Sequence, residues 1–483
     1  MGDLWALVWS YLYVGGVVLL GEGASRLGFS RDLSRKIIHV GVGLWIIGTV
    51  LLFQSPYLAA IPAGTSILMN WVIHRKRLLK AVEAAPENLG TIWFPVSFSL
   101  LILLAWHTKA ALVGGVLAMT FGDALASTVG IRWGRLKFQT LGGYVKSLEG
   151  SVAMLLATFA TVLGTLQVYL GGMDWGWKLG LAALTAVLAT CGEALGIRGR
   201  DNLWVPLGTG LVLFYGINWL QPEWVAPLGL GAVLAALIGV LAWLKGSLSP
   251  SGVLGAILTG TLLFGLGGWL GGLALIGFFV SSSLLSKLFR RQKADVEADF
   301  AKTGTRDLGQ ALANGGVAAV AVVAFAGTGN PAFLGAMLGA LAAANADTWA
   351  TELGVLSRRS PRLITTFRPV PPGTSGAISL HGTLAALGGA SLIALIGALI
   401  DSHGWGAAVG IAVAGLAGSL LDSLLGATLQ GIYWCPTCGK ETERLVHKCG
   451  TPTRLHRGLG WMSNDLVNLL ATLLGAAIGY LVA

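Results

Sequence analysis

The sequence predicts an all-α polytopic membrane protein with about sixteen transmembrane helices. Three observations carry that prediction. Of 483 residues, 54% are hydrophobic and only 11% charged, with a mean hydropathy of +0.74, more apolar surface than a soluble chain of this length can hide. Apolar runs of roughly 17 to 25 residues, each long enough to cross a hydrocarbon core of about 30 Å, recur from near Leu4 to Ala483. The basic residues fall in alternate loops.

Within a bilayer each backbone polar group must be satisfied inside its own segment, so the runs read as helices. The strict alternation of a membrane barrel is absent. The 71 glycines then serve helix packing and re-entrant turns. The first apolar run lacks a basic leader and a small-residue cleavage site, so no signal peptide is expected.

All of the 32 Lys and Arg except Lys109 and Lys178 lie in residues 23–36, 74–80, 131–146, 197–200, 245, 287–306, 357–368 and 440–457. The positive-inside rule makes that face cytoplasmic, and an even number of spans then puts both termini outside. Much of the net charge of +10 thus only sets topology, and no nucleic-acid partner is expected.

The rest lies beside motifs that occur twice. Asp123-x-x-Ala126-Ser127-x-Val129-Gly130 matches Asp347-x-x-Ala350-Thr351-x-Leu353-Gly354. A basic loop follows each, with Arg135-Leu136 or Arg362-Leu363, and then a small-residue helix start. Lys146-Ser147-Leu148-Glu149-Gly150 is set there against Pro372-Gly373-Thr374-Ser375-Gly376. Further on come Glu193 or Asp422, and finally Arg200-Asp201-Asn202-Leu203 or Ser463-Asn464-Asp465-Leu466. Four features in one order predict two domains, 1–222 and 223–483, each of about eight spans. Eight being even, the copies have parallel topology, with their motif loops on the cytoplasmic face.

A carboxylate within a span costs about 2.5–3.5 kcal/mol at a helix centre, which makes these acids candidate site residues; a helix cap or an interhelical hydrogen bond is the alternative for each. Carboxylates hold Mg²⁺ together with substrate phosphates. Basic side chains and helix N-termini hold phosphate oxygens. The combination describes a phosphate-handling site at a membrane surface, with the bilayer as the entrance for a lipid acceptor. No Walker A sequence and no protein-kinase signature set is present.

Arg35-Lys36-x-x-His39, Gly122-Asp123-x-x-Ala126, Lys146-Ser147-Leu148-Glu149-Gly150 and Asp201-Asn202-Leu203 give residues 1–220 a resemblance to the dolichol kinase and phytol kinase family of CTP-dependent polyprenol kinases. Thr303-Gly304-Thr305-Arg306-Asp307, Asn314-Gly315-Gly316, Asn345-Ala346-Asp347-Thr348-Trp349-Ala350 and Gly373-Thr374-Ser375-Gly376, with a late Cys-rich loop, give residues 225–483 a resemblance to a sister family that includes phytyl-phosphate kinase. The resemblance implies two consecutive steps fused in one chain: a membrane-embedded prenol plus CTP gives prenyl phosphate, and prenyl phosphate plus nucleotide gives prenyl diphosphate.

An alcohol must lose a proton, whereas a phosphate monoester is already anionic. Setting Gly150 opposite Gly376 places Glu149 opposite Ser375, so Glu149 is expected to be the base of the alcohol kinase, or else a Mg²⁺ ligand. Asp123, Asp201, Asp347, Asp422 and Asp465 are the expected Mg²⁺ or nucleotide-phosphate organisers. Lys36, Lys146, Arg306 and Arg362 would neutralise the triphosphate. Arg135, Ser147, Asn202, Thr374, Ser375 and Asn464 belong to the same phosphate-binding loops and helix starts. His39 is either a phosphate or base group or a core histidine. Asn314 and Asn345 either polarise phosphate or bridge helices, and Asp307 either pairs with an arginine or binds metal.

Cys435-x-x-Cys438 is followed by His447-x-Cys449, in residues 432–460, a stretch with no counterpart in the first half. Four such ligands make a closed structural zinc set, with His456 as an alternative to His447. A disulfide is disfavoured on the reducing cytoplasmic side. Cys191 reads as packing. Two rival functions remain: a lipid cytidylyltransferase, which would release pyrophosphate, and a transporter, whose sites would lie near the midplane.

Overall fold

The computed structural model describes residues 2–76, 89–140, 144–196, 199–288, 305–357, 359–400 and 404–483. Thr303 and Gly304 of the expected phosphate loop, and residues 77–80 and 289–302 of the basic loops, lie outside the described residues. The protein is helical nearly throughout and divides into two units, Met1–Val233 and Leu234–Ala483.

The first unit holds α1 (Gly2–Arg26), α2 (Arg31–Leu52), α3 (Pro56–Lys76), α4 (Gly90–Ala105), α5 (Lys109–Trp133), α6 (Leu148–Tyr169), α7 (Trp175–Leu195) and α8 (Asp201–Asn218). α9 (Pro222–Leu244) carries the unit boundary. α5 is the central element. It packs on α2, α4, α6 and α8, and it is buried continuously from Ala110 to Thr120. Its small residues allow this: a Cβ on Gly115 would meet the Pro206 carbonyl at 2.8 Å, so α8 lies backbone to backbone against it. Outer helices instead turn leucine and tryptophan outward, with Leu19 and Leu51 more than 70% exposed, as lipid-facing surfaces require.

The second unit holds α10 (Pro250–Leu288), α11 (Leu308–Thr328), α12 (Ala332–Gly354), α13 (Leu380–Ile400), α14 (Gly404–Thr428) and α15 (Asn464–Val482). α10 is broken at Gly268, whose φ of 57° and ψ of −148° belong to a region open to glycine alone. α12 is central here, buried from Gly335 to Ala346 and packed on α11, α13, α14 and α15. Among the described residues, eleven helices are long and apolar enough to cross a membrane. The protein is an all-α polytopic membrane protein.

Three small sheets interrupt the helices. β1 (Lys137–Gln139) pairs antiparallel with β2 (Val145–Ser147), and β3 (Arg362–Leu363) with β4 (Ala377–Ile378). β5 (Ile432–Cys435) is flanked by β6 (Lys440–Thr442) and β7 (Arg454–Arg457). The first two sheets occupy equivalent places, each between a buried Asp-bearing helix and the helix that follows. Sequence reading expected only basic loops there.

The second hairpin corrects the expected register. Ser147 caps α6 by accepting the Gly150 N–H, and Ser379 caps the start of α13 by accepting the Gly382 N–H. Gly150 lies against Ala126 and Gly130, Gly382 against Ala350 and Gly354. Ser147-Leu148-Glu149-Gly150 therefore corresponds to Ser379-Leu380-His381-Gly382, so Glu149 stands opposite His381 and not Ser375.

Candidate functional site

Among the described residues, an acid-lined cavity lies in each unit. That of the first unit is about 950 Å³. Its lining includes apolar Val42, Trp45, Met69, Phe94 and Phe98 and polar Lys36, His39, Asp123, Ser127, Lys146, Asp201 and Asn202. Lys146, on β2, extends its ammonium to the Glu193 carboxylate and backbone carbonyl. Its Nζ lies 3.8 Å from Asp201 Oδ2. The Lys146 side chain is 18% exposed and that of Glu193 9%, so the pair is largely withdrawn from solvent. Asp201 at the start of α8 also accepts the Asn202 N–H at 3.1 Å. Asp123 on α5 acts electrostatically on both Glu193 and Asp201. It receives no hydrogen bond from any described residue.

Lys36 donates to Asp32 at 2.6 Å and lines the same cavity. His39 does both things expected of it in the alternative: its Nε2 is 3.3 Å from the Met119 carbonyl and its ring packs 5.0 Å from Phe94, yet it borders the cavity. Glu149, Arg135 and Ser147 do not line it. The Glu149 carboxylate accepts the Arg135 and Leu136 N–H groups at 2.9 and 3.1 Å, closing the turn into β1, while the Arg135 side chain is exposed.

The second cavity is about 530 Å³. Arg306, Asn314, Asp347, Thr374, Ser375, Asp422, Asn464 and Asp465 all line it. Arg306 places its guanidinium over Phe278 and Phe279, 5.1 and 5.6 Å from the ring centroids. Among the described residues its Nη1 is shut from solvent without a hydrogen-bond partner, as is Asp422 Oδ2. Burial pulls the Arg306 pKa down to about 10, still charged at neutral pH. Ser375 donates to Gln430 at 2.7 Å. Neighbouring Gly376 has φ +84°, and a Cβ there would stand 2.4 Å from the Ala427 nitrogen, so only glycine lets this loop approach α14.

Asn345 and Arg362 are not part of this wall. Asn345 is fully buried, accepts from Ser281 and Ser282 at 3.1 and 3.2 Å and donates to the Gly389 carbonyl at 2.8 Å. It bridges three helices. Arg362 is exposed and bonds the Phe367 carbonyl at 2.8 Å. Asp307 caps α11 through the Gln310 N–H. Sequence reading missed Glu352, Gln430 and Glu443, which all line the cavity. Glu352 was visible as a second acid on the Asp347 helix. Gln430 and Glu443 carried no signal, because one lies just before and the other inside the stretch taken only as a metal loop.

In that stretch Cys435, Cys438, His447 and Cys449 bring their ligand atoms within 4.8 Å of one another, a possible metal site. Cys435 and Cys449 sulfurs are 3.6 Å apart, near the roughly 3.8 Å that tetrahedral zinc with ~2.3 Å bonds would give. His456 stands elsewhere, 3.6 Å from Glu441.

Two buried acidic helices, each beside basic groups in its own cavity, define an integral membrane protein with paired polar sites. The profile of the integral membrane family DUF92 matches residues 233–476, and the chain belongs to that family. It is 35% identical over 267 residues to Protein PGR of Arabidopsis thaliana, covering 50% of this chain and 91% of that protein. It is 33% identical over 211 residues to a phytol kinase of Synechocystis, covering 42% and 88%. To the protein named Probable phytol kinase 2, chloroplastic, of Oryza sativa it is 28% identical over 209 residues, covering 40% and 68%. No solved structure matches.

Proposed function

We propose that the chain is a two-site isoprenoid phosphotransferase: the first unit phosphorylates a prenol of the phytol or geranylgeraniol class with CTP, and the second converts prenyl monophosphate to the diphosphate. The first cavity carries this reading. Its apolar lining joins a cluster of Lys36, Lys146, Asp123 and Asp201, which suits a hydrocarbon tail whose hydroxyl must meet a triphosphate. Relatives named phytol kinase support the substrate class, and the resemblance carried by the Lys146–Gly150 string favours the first unit as its place. CTP as donor rests on that family likeness.

In the first cavity the prenol oxygen attacks the γ-phosphorus, the bond to the β-phosphate oxygen breaks and CDP leaves. Asp123, unencumbered by protein hydrogen bonds, takes the hydroxyl proton. This replaces Glu149, whose carboxylate already holds two backbone N–H groups. Lys36 and Lys146 balance the phosphate charge. Asp201 would hold Mg²⁺, which when bound shields the triphosphate, leaving the Asp123 carboxylate to accept the proton.

In the second cavity the acceptor is already anionic and needs no base. Arg306, with an unmet N–H, would receive the phosphate beside Thr374 and Ser375. Asp347, Asp422 and Asp465 would hold Mg²⁺, supplying the unpartnered Asp422 oxygen. The closed Cys₃His set fits Zn²⁺ in a structural role. With the halves of α10 counted separately we read sixteen crossings in two parallel repeats, motif loops toward the cytoplasm.

The test is nucleotide turnover by the purified full-length protein with phytol and labelled CTP. Phytol-dependent CDP release with monophosphate and then diphosphate is expected. Pyrophosphate release would instead mark a lipid cytidylyltransferase, and substrate movement without turnover a transporter.

A further inference from the structure

The Cys/His cluster and the second cavity share one small sheet. Cys435 ends β5, Cys438 sits in the β5–β6 turn, and His447 and Cys449 precede β7. The same strands supply cavity contacts. Tyr433 on β5 and Glu443 just past β6 both line the cavity, and Glu443 accepts from Gln430 Nε2 at 2.8 Å. Arg457 on β7 donates to the carbonyls of Gly426 and Ala427, at the end of α14, at 3.1 and 3.2 Å, and to that of Ser375 at 3.3 Å. Ser375 in turn donates to Gln430. The phosphate-loop serine is thus held from two sides by residues whose positions depend on this sheet.

Three strands of three or four residues cannot hold a fixed shape through their own core. A staple is needed, and a metal held by four ligands from three segments provides one.

We propose that Zn²⁺ bound by Cys435, Cys438, His447 and Cys449 sets the shape of the second cavity through Arg457, Glu443 and Gln430 as positioning residues, so that metal loss disables the second phosphorylation and spares the first. The activity part rests on the two-site reading; the structural part does not. Arg457 donates to carbonyls in the last turn of α14, groups that have no partner within the helix itself, which makes the sheet a cap on the helix that carries Asp422.

The experiment uses the full-length protein in detergent, wild type and Cys435→Ser, with zinc content by mass spectrometry, hydrogen–deuterium exchange and both phosphorylation steps measured. Stoichiometric zinc in the wild type is expected. Its loss in the variant should bring faster exchange in residues 372–378 and 424–433, unchanged exchange in residues 1–233, and loss of monophosphate conversion alone. Arg457→Ala should keep zinc while raising the KM for prenyl phosphate by about tenfold or more, with Arg457→Lys partly restoring it. A metal-free wild type, or zinc loss that leaves residues 372–378 equally protected, overturns the inference. Zinc-dependent protection without any phosphoryl transfer supports the coupling and refutes the two-site reading instead.

Discussion

Gly150 approaches α5 so closely that a methyl group on it would sit 2.9 Å from the Ala126 carbonyl oxygen. Gly382 stands in the same relation to Ala350, at 3.4 Å. Gly150→Ala must separate α5 from α6 or strain both, an overpacking that costs about 1–3 kcal/mol. Thermal unfolding followed by scanning fluorimetry should show a clear fall in Tm, larger for Gly150→Ala than for Gly382→Ala. Equal Tm values for the wild type and Gly150→Ala would show that the helices are not in this contact.

Lys146 is the cation between Glu193 and Asp201. Lys146→Met leaves two largely buried carboxylates without it, and breaking such a pair costs roughly 3–5 kcal/mol. Prenol phosphorylation should vanish while conversion of added prenyl phosphate persists. Loss of both activities with intact zinc content and normal elution in size exclusion would contradict the separation of the sites.

In the proposed mechanism Asp123 takes the proton-accepting role that the sequence suggests for Glu149, whose carboxylate holds two backbone N–H groups. Glu149→Gln keeps one oxygen for the Arg135 and Leu136 N–H groups, so a fall of a few-fold in prenol turnover is expected. Asp123→Asn removes the proposed proton acceptor and should lower kcat by about 10²–10⁴. A reversed order of the two effects would restore Glu149 as the base.

The membrane class was legible in composition and apolar runs, and the Cys/His cluster that forms a possible metal site was legible in its spacing. The register between the halves was not. Gly373-Thr374-Ser375-Gly376 looks like a helix start, but Gly376 is in left-handed turn geometry, and the helix begins at Leu380 after Ser379. The Glu149 contact to Arg135 and Leu136 crosses a hairpin of only a few residues, and no periodicity announces it. For Asn345 the sequence left phosphate binding and helix bridging open; it lies two residues from Asp347, and on a helix that step points it to the opposite side, toward Ser281 and Gly389.

Arg306 has a buried N–H with no hydrogen-bond partner among the described residues. Arg306→Ala should abolish the second step, and Arg306→Lys, a point charge lacking the planar fork, should recover it only weakly. Saturation with prenyl phosphate separates binding from turnover: a raised KM is expected in the lysine variant. Full activity of Arg306→Ala would remove the phosphate from this end of the cavity.

The most direct measurement follows labelled phytol through the full-length protein in which only one buried aspartate is changed. Asp123→Asn should phosphorylate the alcohol at least about a hundredfold more slowly yet still convert supplied phytyl phosphate to the diphosphate, whereas Asp347→Asn should accumulate the monophosphate. Monophosphate made by Asp123→Asn at close to the wild-type rate, or diphosphate made so by Asp347→Asn, would contradict the assignment of one step to each cavity.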